Sequence, residues 1–233
     1  MIRSIILLIA MIFVIAPNNA GAKTSDYTVI AKSDKENITI YAKRMEGLYY
    51  DFKIDFNGTR FSRPFWMSVT NPSYAPQVIY EDINKDEKKE LIIILTKGYG
   101  TGALIEEVYV YKNTNGLIDL LIDNPLAIIH KNVKTKLTTE KAEVRIDDKV
   151  YTVDITPITI KPKLGDDISF GSIIDYELRD NQLIVIIPGQ ITPAAYIGEI
   201  VIVYEYRDKM FQAKSIEFQP AKLWVVLINR YNI

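Results

Sequence analysis

Apolar and polar positions alternate along most of this chain with a period of two, the spacing that sends successive side chains to opposite faces of a β-strand. In NITIYAKR, from Asn37, Ile38 and Ile40 share one face while Thr39 and Tyr41 share the other. Comparable β-branched and aromatic runs are YTVIAKS from Tyr27, LYYDFKIDF from Leu48, ELIIIL from Glu90, EEVYVYKN from Glu106 and AEVRIDD from Ala142. KVYTVDI from Lys149, QLIVII from Gln182, EIVIVYEYRD from Glu199 and FQAKSIEF from Phe211 complete the set. Leu91 to Leu95 and Leu183 to Ile187 contain no polar position, which predicts strands buried on both faces. Helical spacing is scarce. Asn124 followed by Pro125 predicts one short helix in DNPLAIIHKN. The tail AKLWVVLINRYNI, from Ala221, reads as strand on its β-branched and aromatic content. The predicted fold is all-β.

Two long stretches resemble each other. YEDINKDEKKELIIILTKGYGTGALIEEVYVYKN, from Tyr80, aligns with YELRDNQLIVIIPGQITPAAYIGEIVIVYEYRD, from Tyr176; Glu90-Leu91 falls on Gln182-Leu183 and Val110-Tyr111 on Val203-Tyr204. Each reads as strand, glycine-bearing loop, strand. A period of roughly ninety residues suits two blades of a propeller or two related halves of a sandwich. The expected architecture is therefore propeller-like, with repeated antiparallel β-meanders, and a large β-sandwich is the alternative. Residues 23–233 are expected to form a single all-β domain, whose finer form is two related halves connected near 156–167, in TPITIKPKLGDD.

The first residues change the picture. MIRSIILLIAMIFVIAPNNAGA carries Arg3, an apolar run from Ile5 to Ala16, Pro17 and a small-residue ending, the order of a secretory signal peptide. The run is shorter than the roughly 20 residues that span a hydrocarbon core. A leader over residues 1–22, cleaved after Ala22, is expected, and with it secretion or retention at the cell envelope, in a bacterium. Cysteine is absent, which excludes disulfides, thiolate zinc sites and cysteine nucleophiles together. The 28 basic and 29 acidic residues nearly cancel, for a formal charge of −1, and loss of Arg3 with the leader removes one more cation. That balance argues against nucleic acid as a partner. Lys131, Lys134 and Lys136 in HKNVKTKL make a short basic run, which reads most simply as a solvated strand face.

The loop DINKDEKKE holds the clearest chemistry. Asp82, Asn84, Asp86 and Glu90 put oxygen-bearing side chains on its first, third, fifth and ninth places, and the main-chain carbonyl of Lys88 falls between the last two. Calcium takes roughly six to eight hard oxygen ligands from a short backbone that curls around it. Followed at once by ELIIIL, the loop resembles the calcium loops of FG-GAP and VCBS repeats in integrin-type β-propellers. PFWMSVTNPSYAP, GYGTG and GEIVIVYEYRDKMFQAKSIEF extend the resemblance to secreted, VCBS-type proteins of bacilli whose function is not established. The resemblance implies Asp82, Asn84, Asp86 and Glu90 as side-chain ligands of Ca2+ and Lys88 as a carbonyl donor. One departure stands out. Glu87 occupies the sixth place, where glycine usually makes the sharp turn.

Other candidates are weaker. Gly98 to Gly102, GYGTG, lacks the lysine and the helix of a phosphate-binding loop, so its glycines are expected to form a turn that exposes Tyr99. His130 is the sole histidine, which leaves a zinc centre or a serine triad without partners and points to a surface or capping role. The acid pairs Glu106-Glu107, Asp147-Asp148 and Asp166-Asp167 cannot each act as a pair on a strand, since adjacent side chains diverge. Fifteen tyrosines, Tyr74 and Tyr99 among them, offer rigid amphipathic contact area. Together these features predict a calcium-stabilised binding module, a monomer that contacts a surface polysaccharide or protein. An extracellular hydrolase with acids converging from distant strands and a structural envelope protein are the alternatives.

Overall fold

A computed structural model describes residues 27–157 and 164–221. The expected leader over residues 1–22, the tail 222–233 and the middle of the 156–167 connection lie outside the described residues. Four antiparallel strands come first: β1 (Tyr27–Ser33), β2 (Ile38–Met45), β3 (Leu48–Phe56) and β4 (Thr59–Val69), hydrogen-bonded in chain order. Asn57 and Gly58 join β3 to β4 with φ of 52° and 79°, the left-handed pair that a two-residue hairpin turn demands. An irregularity crosses this sheet from edge to edge. It falls between Val29 and Ala31, between Tyr41 and Lys43, at Asp51, and at Pro64–Trp66, where three residues of β4 oppose one of β3. Bulges bend a strand and re-aim its side chains. Here Trp66 is turned inward to 7% exposure while its neighbour Phe65 stays 95% exposed.

The next four strands are β5 (Gln77–Glu81), β6 (Glu90–Gly100), β7 (Ala103–Asn113) and β8 (Leu117–Ile122). Helix α1 (Pro125–Asn132) follows, and then the small sheet of β9 (Val133–Leu137), β10 (Lys141–Ile146) and β11 (Lys149–Asp154). A last meander contains β12 (Ile173–Arg179), β13 (Gln182–Thr192), β14 (Ala195–Arg207) and β15 (Met210–Pro220). β5–β8 and β12–β15 merge into one eight-stranded sheet through a parallel pairing of β8 with β15. Ile173 and Ile174 of β12 also pair with Leu104 and Ile105 of β7, so hydrogen bonding in this sheet returns on itself in a ring-like path. The fold is all-β and built of antiparallel meanders, with α1 as its only α-helix among the described residues.

Alternation explains the packing. Leu91, Ile93 and Leu95 of β6 face the first sheet and meet Ile38, Ile40, Phe52, Ile54 and Trp66. Ile92 and Ile94 belong to the second core, with Val110, Leu183, Val185, Ile187, Ile200 and Ile202, over which Ala142, Val144 and Ile146 of β10 also pack. β6 is thus buried on both faces, all five residues from Leu91 to Leu95 being at most 1% exposed. β13 is similarly covered, Ile184 and Ile186 packing with Val201 on its other side. Helix α1 starts where its cap dictates: Asn124 Oδ1 accepts the N–H groups of Leu126 and Ala127, and Pro125 needs no donor there.

The expected turn over Gly98 to Gly102 is a correction. β6 continues through Gly98 and Gly100, a register shift lies between Thr96 and Gly98, and only Thr101 and Gly102 turn. Glycine inside a strand marks a bulge as readily as a reversal. β4, β5, β8 and β12 are further strands beyond those that the alternation identified.

Candidate functional site

The segment from Asp82 to Glu90 joins β5 to β6 as a compact loop tied by its own side chains. Asp82 Oδ1 accepts the Lys85 N–H at 2.7 Å and Asp82 Oδ2 the Glu87 N–H at 3.0 Å. Asn84 Oδ1 accepts from the Asp86 N–H at 2.8 Å, and Asp86 Oδ1 from the Lys88 N–H at 2.9 Å. Such short side chains stabilise turns because they hydrogen-bond the backbone a few residues on. Lys85 and Glu87 carry φ of 65° and 66°. Glu87 therefore takes the left-handed conformation for which glycine is the usual choice at that place.

Glu90 plays a different part. It is 1% exposed, and its Oε2 accepts the N–H groups of Ile83 and Asn84 at 3.1 and 3.3 Å while Oε1 accepts Asn84 Nδ2 at 2.8 Å. Burial raises its pKa above the ordinary carboxylate value, against the lowering effect of the two backbone donors, and the charges of Asp86 and Asp82 add to the rise. The five residues Asp82, Asn84, Asp86, Lys88 and Glu90 are thus gathered in one loop. Among the described residues no group of three or more histidine, cysteine or acidic side chains converges as a ligand set. The donor chemistry of the loop is all oxygen and suits a hard cation. Asp82, Asn84 and Asp86 keep lone pairs beyond those used in the turn, and Glu90, which closes the loop, keeps one on Oε1 beside the Asn84 amide.

Tyr74 and Tyr99 come from separate segments and meet. A single 3-10 turn, Pro72–Tyr74, is capped by Asn71, whose Oδ1 accepts the Ser73 N–H at 3.0 Å. It brings Tyr74 onto Tyr99 of β6, with ring centroids 4.5 Å apart and planes 26° from parallel. Tyr99 is 43% exposed. Tyr74 and Tyr196 both pack against the cluster of Leu104 and Ile173, and the Tyr196 hydroxyl donates to the Gly102 carbonyl at 2.8 Å. One end of the molecule therefore presents a rigid aromatic group with its outer ring in solvent.

Glu106 and Glu107 diverge as strand geometry requires, whereas Asp147-Asp148 and Asp166-Asp167 lie off the strands, the first pair in the turn between β10 and β11 and the second in a bend before β12. Glu106 is 7% exposed and accepts the Tyr176 N–H at 2.8 Å, whereas Glu107 is exposed, paired with Lys97 at 3.1 Å and bonded by the Tyr109 hydroxyl at 2.5 Å. Burial pushes the Glu106 carboxyl up to about 7; the Tyr176 N–H pulls it down, and Asp175 and Glu177 push it further up. Burial also acts on Glu107, but the Tyr109 and Lys97 donors outweigh it and hold its carboxyl below the ordinary value. His130 lies exposed in the last turn of α1.

A cleft of about 510 Å³ opens between α1, the turn after β10 and the β14–β15 hairpin. Lys131, Arg207 and Lys214 contribute cations to it, and Asp123 and Asp147 contribute acids. None of the residues expected from the sequence as ligands or contact tyrosines lines it, and neither Glu90 nor Glu106 does. Lys131 and Asp147 were the visible signs, one in the short basic run and the other in an acid pair, and nothing in the sequence joined Arg207 and Lys214 to them. Comparison of the chain with family models, curated proteins and solved structures gives no match.

Proposed function

We propose that this chain is an exported binding module, acting at the cell surface or outside the cell and related to the FG-GAP and VCBS repeat proteins with their propeller-type meanders. The observation that carries this reading is the half-exposed Tyr74–Tyr99 stack, a preorganised contact surface that costs little side-chain entropy on binding. Calcium belongs to the same reading. Asp82, Asn84 and Asp86 hold the ion through side-chain oxygens and Lys88 through its carbonyl, while Glu90 keeps the loop closed from beneath. The left-handed Glu87 supports this, because the loop makes the turn without the customary glycine. An ion that binds only the folded loop stabilises the whole chain by mass action.

Thermal unfolding in excess calcium and in excess chelator tests the ion, with Asp86→Ala alongside. The expected outcome is a higher midpoint with calcium in the wild type and none in the variant. Equal midpoints in the wild type would reduce the loop to a self-bonded turn. Retention on cell-surface polysaccharide and on surface protein tests the contact. Tyr99→Ala is expected to weaken retention at least tenfold while leaving the unfolding midpoint nearly unchanged. Undiminished retention would move the contact elsewhere.

A further inference from the structure

The cleft beside α1 continues onto the outer face of the three-stranded sheet. Asn132 and Asp147 line the cleft, one directly before Val133 and the other directly after Ile146, which pair across β9 and β10. The next pair is Lys134 opposite Arg145, both exposed. Like charges directly opposite on one face oppose the pairing that brings them together. Neither holds an ion pair or side-chain hydrogen bond among the described residues. Lys136 follows, opposite Glu143, but that carboxylate already binds Lys141 at 2.6 Å. Inside the cleft Lys131 and Lys214 are exposed and equally without an ion pair, whereas Arg207 is held by Glu205 and Gln212.

Five cations without an ion pair of their own among the described residues, Lys131, Lys134, Lys136, Arg145 and Lys214, therefore follow one path on a chain whose formal charge is −1. Of these, Lys136 and Arg145 feel a neighbouring acid, Glu143, which Lys141 already binds. Alternate residues of a strand lie about 7 Å apart, so Lys134 and Lys136 match an extended chain with anionic groups at intervals of that order. Between the cations stand hydrogen-bonding groups suited to hydroxyls. Asp123 and Asp147 accept, Ser215 donates and accepts, and Asn124 has its Oδ1 spent on the helix cap, which leaves its Nδ2 to donate. No aromatic side chain lines the cleft or stands on the outer row of Lys134, Lys136, Glu143 and Arg145. Single-stranded nucleic acid depends on such rings for stacking.

We infer that this path binds an acidic, hydroxyl-rich polymer, whose charge comes either from carboxylates, as in a polyuronate, or from phosphodiesters, as in a polyol phosphate. It lies on other strands than the Tyr74–Tyr99 stack and does not rest on it. The test is affinity electrophoresis of the full chain through polygalacturonate and through poly(glycerol phosphate), with single-stranded DNA in parallel, at two salt concentrations. Retardation by at least one of the two polymers, weakened by salt, is expected, and the polymer that retards names the source of the charge. Lys134→Ser with Arg145→Ser is expected to cut the affinity at least tenfold without lowering the unfolding midpoint. Lys131→Ser with Lys214→Ser provides a second variant on a different element, with the same expectation. No retardation by either polymer, wild-type binding by both double variants, or DNA bound as tightly as the better polymer would overturn the inference.

Discussion

Among the carboxylates of the described residues, Glu106 is the one that burial carries furthest from its ordinary value. Its folded pKa, about 7, lies above the ordinary glutamate value of 4.5. The protonated carboxyl is therefore the form that the fold favours. The stability this contributes is fully present below pH 4.5 and is lost as pH rises through 7, a swing on the order of 3 kcal/mol. Glu106→Gln keeps a neutral acceptor for the Tyr176 N–H. It is expected to flatten the fall in stability between pH 5 and about pH 8 that the wild type shows in urea unfolding. A variant that follows the wild-type profile would assign that fall to other groups, Glu90 first, since its shift has the same sign. None of this was legible in the sequence, where Glu106 was one half of an acid pair. The divergence of Glu106 and Glu107 follows from period two alone, but which of them turns inward depends on β12, some seventy residues later in the chain.

At the scale of elements, β14 and β15 pair closely because of one glycine. A Cβ at Gly198 would lie 2.4 Å from the Gln219 carbonyl oxygen and 2.7 Å from the Phe218 ring, and the backbone there has φ of 147°. Gly198→Ala is expected to destabilise the protein by about 2 kcal/mol or more, through both clash and backbone strain. An unchanged midpoint in thermal unfolding would mean that the end of β15 gives way freely. Hairpins such as β2–β3 and β10–β11 were legible because local alternation and turn residues specify them without outside help. β4 was not, since Arg60, Arg63 and Pro64 break its alternation. Its wide bulge makes sense only against Asp51, which itself sits at φ 51° and holds Tyr27 and Lys43. β12 was hidden for a related reason: Asp175 and Glu177 interrupt its apolar positions, and its place is set by β7 and β13. Of the candidate site, the oxygen spacing from Asp82 to Glu90 was visible, but the inward role of Glu90 was not. Spacing records which residues can converge, not which of them the core claims.

Across the whole molecule, two cores meet at β6. Its odd-numbered residues from Leu91 to Leu95 serve the core under the first sheet, and its even-numbered ones serve the core shared with β10, β13 and β14. Ile93→Ala and Ile92→Ala therefore strike different cores through adjacent residues. Each is expected to cost about 2–5 kcal/mol and to shift one common unfolding transition, because the strand they share cannot leave one core and stay in the other. Two separated transitions in either variant would show cores that unfold independently. The contact that brings β12 back to β7 has a consequence for the order of assembly. β5 to β8 and the sheet that covers them end at Ile122, whereas Ile173, which pairs with Leu104 on the edge away from Tyr99, lies about fifty residues further on. A chain growing from its N-terminus thus completes its first core while β7 still has a naked stretch of edge, open to any strand that reaches it before its own. Only two residue pairs join β12 to β7, and only two join β15 to β8, so the newly made protein is most vulnerable to mispairing at the seams where the finished one is joined.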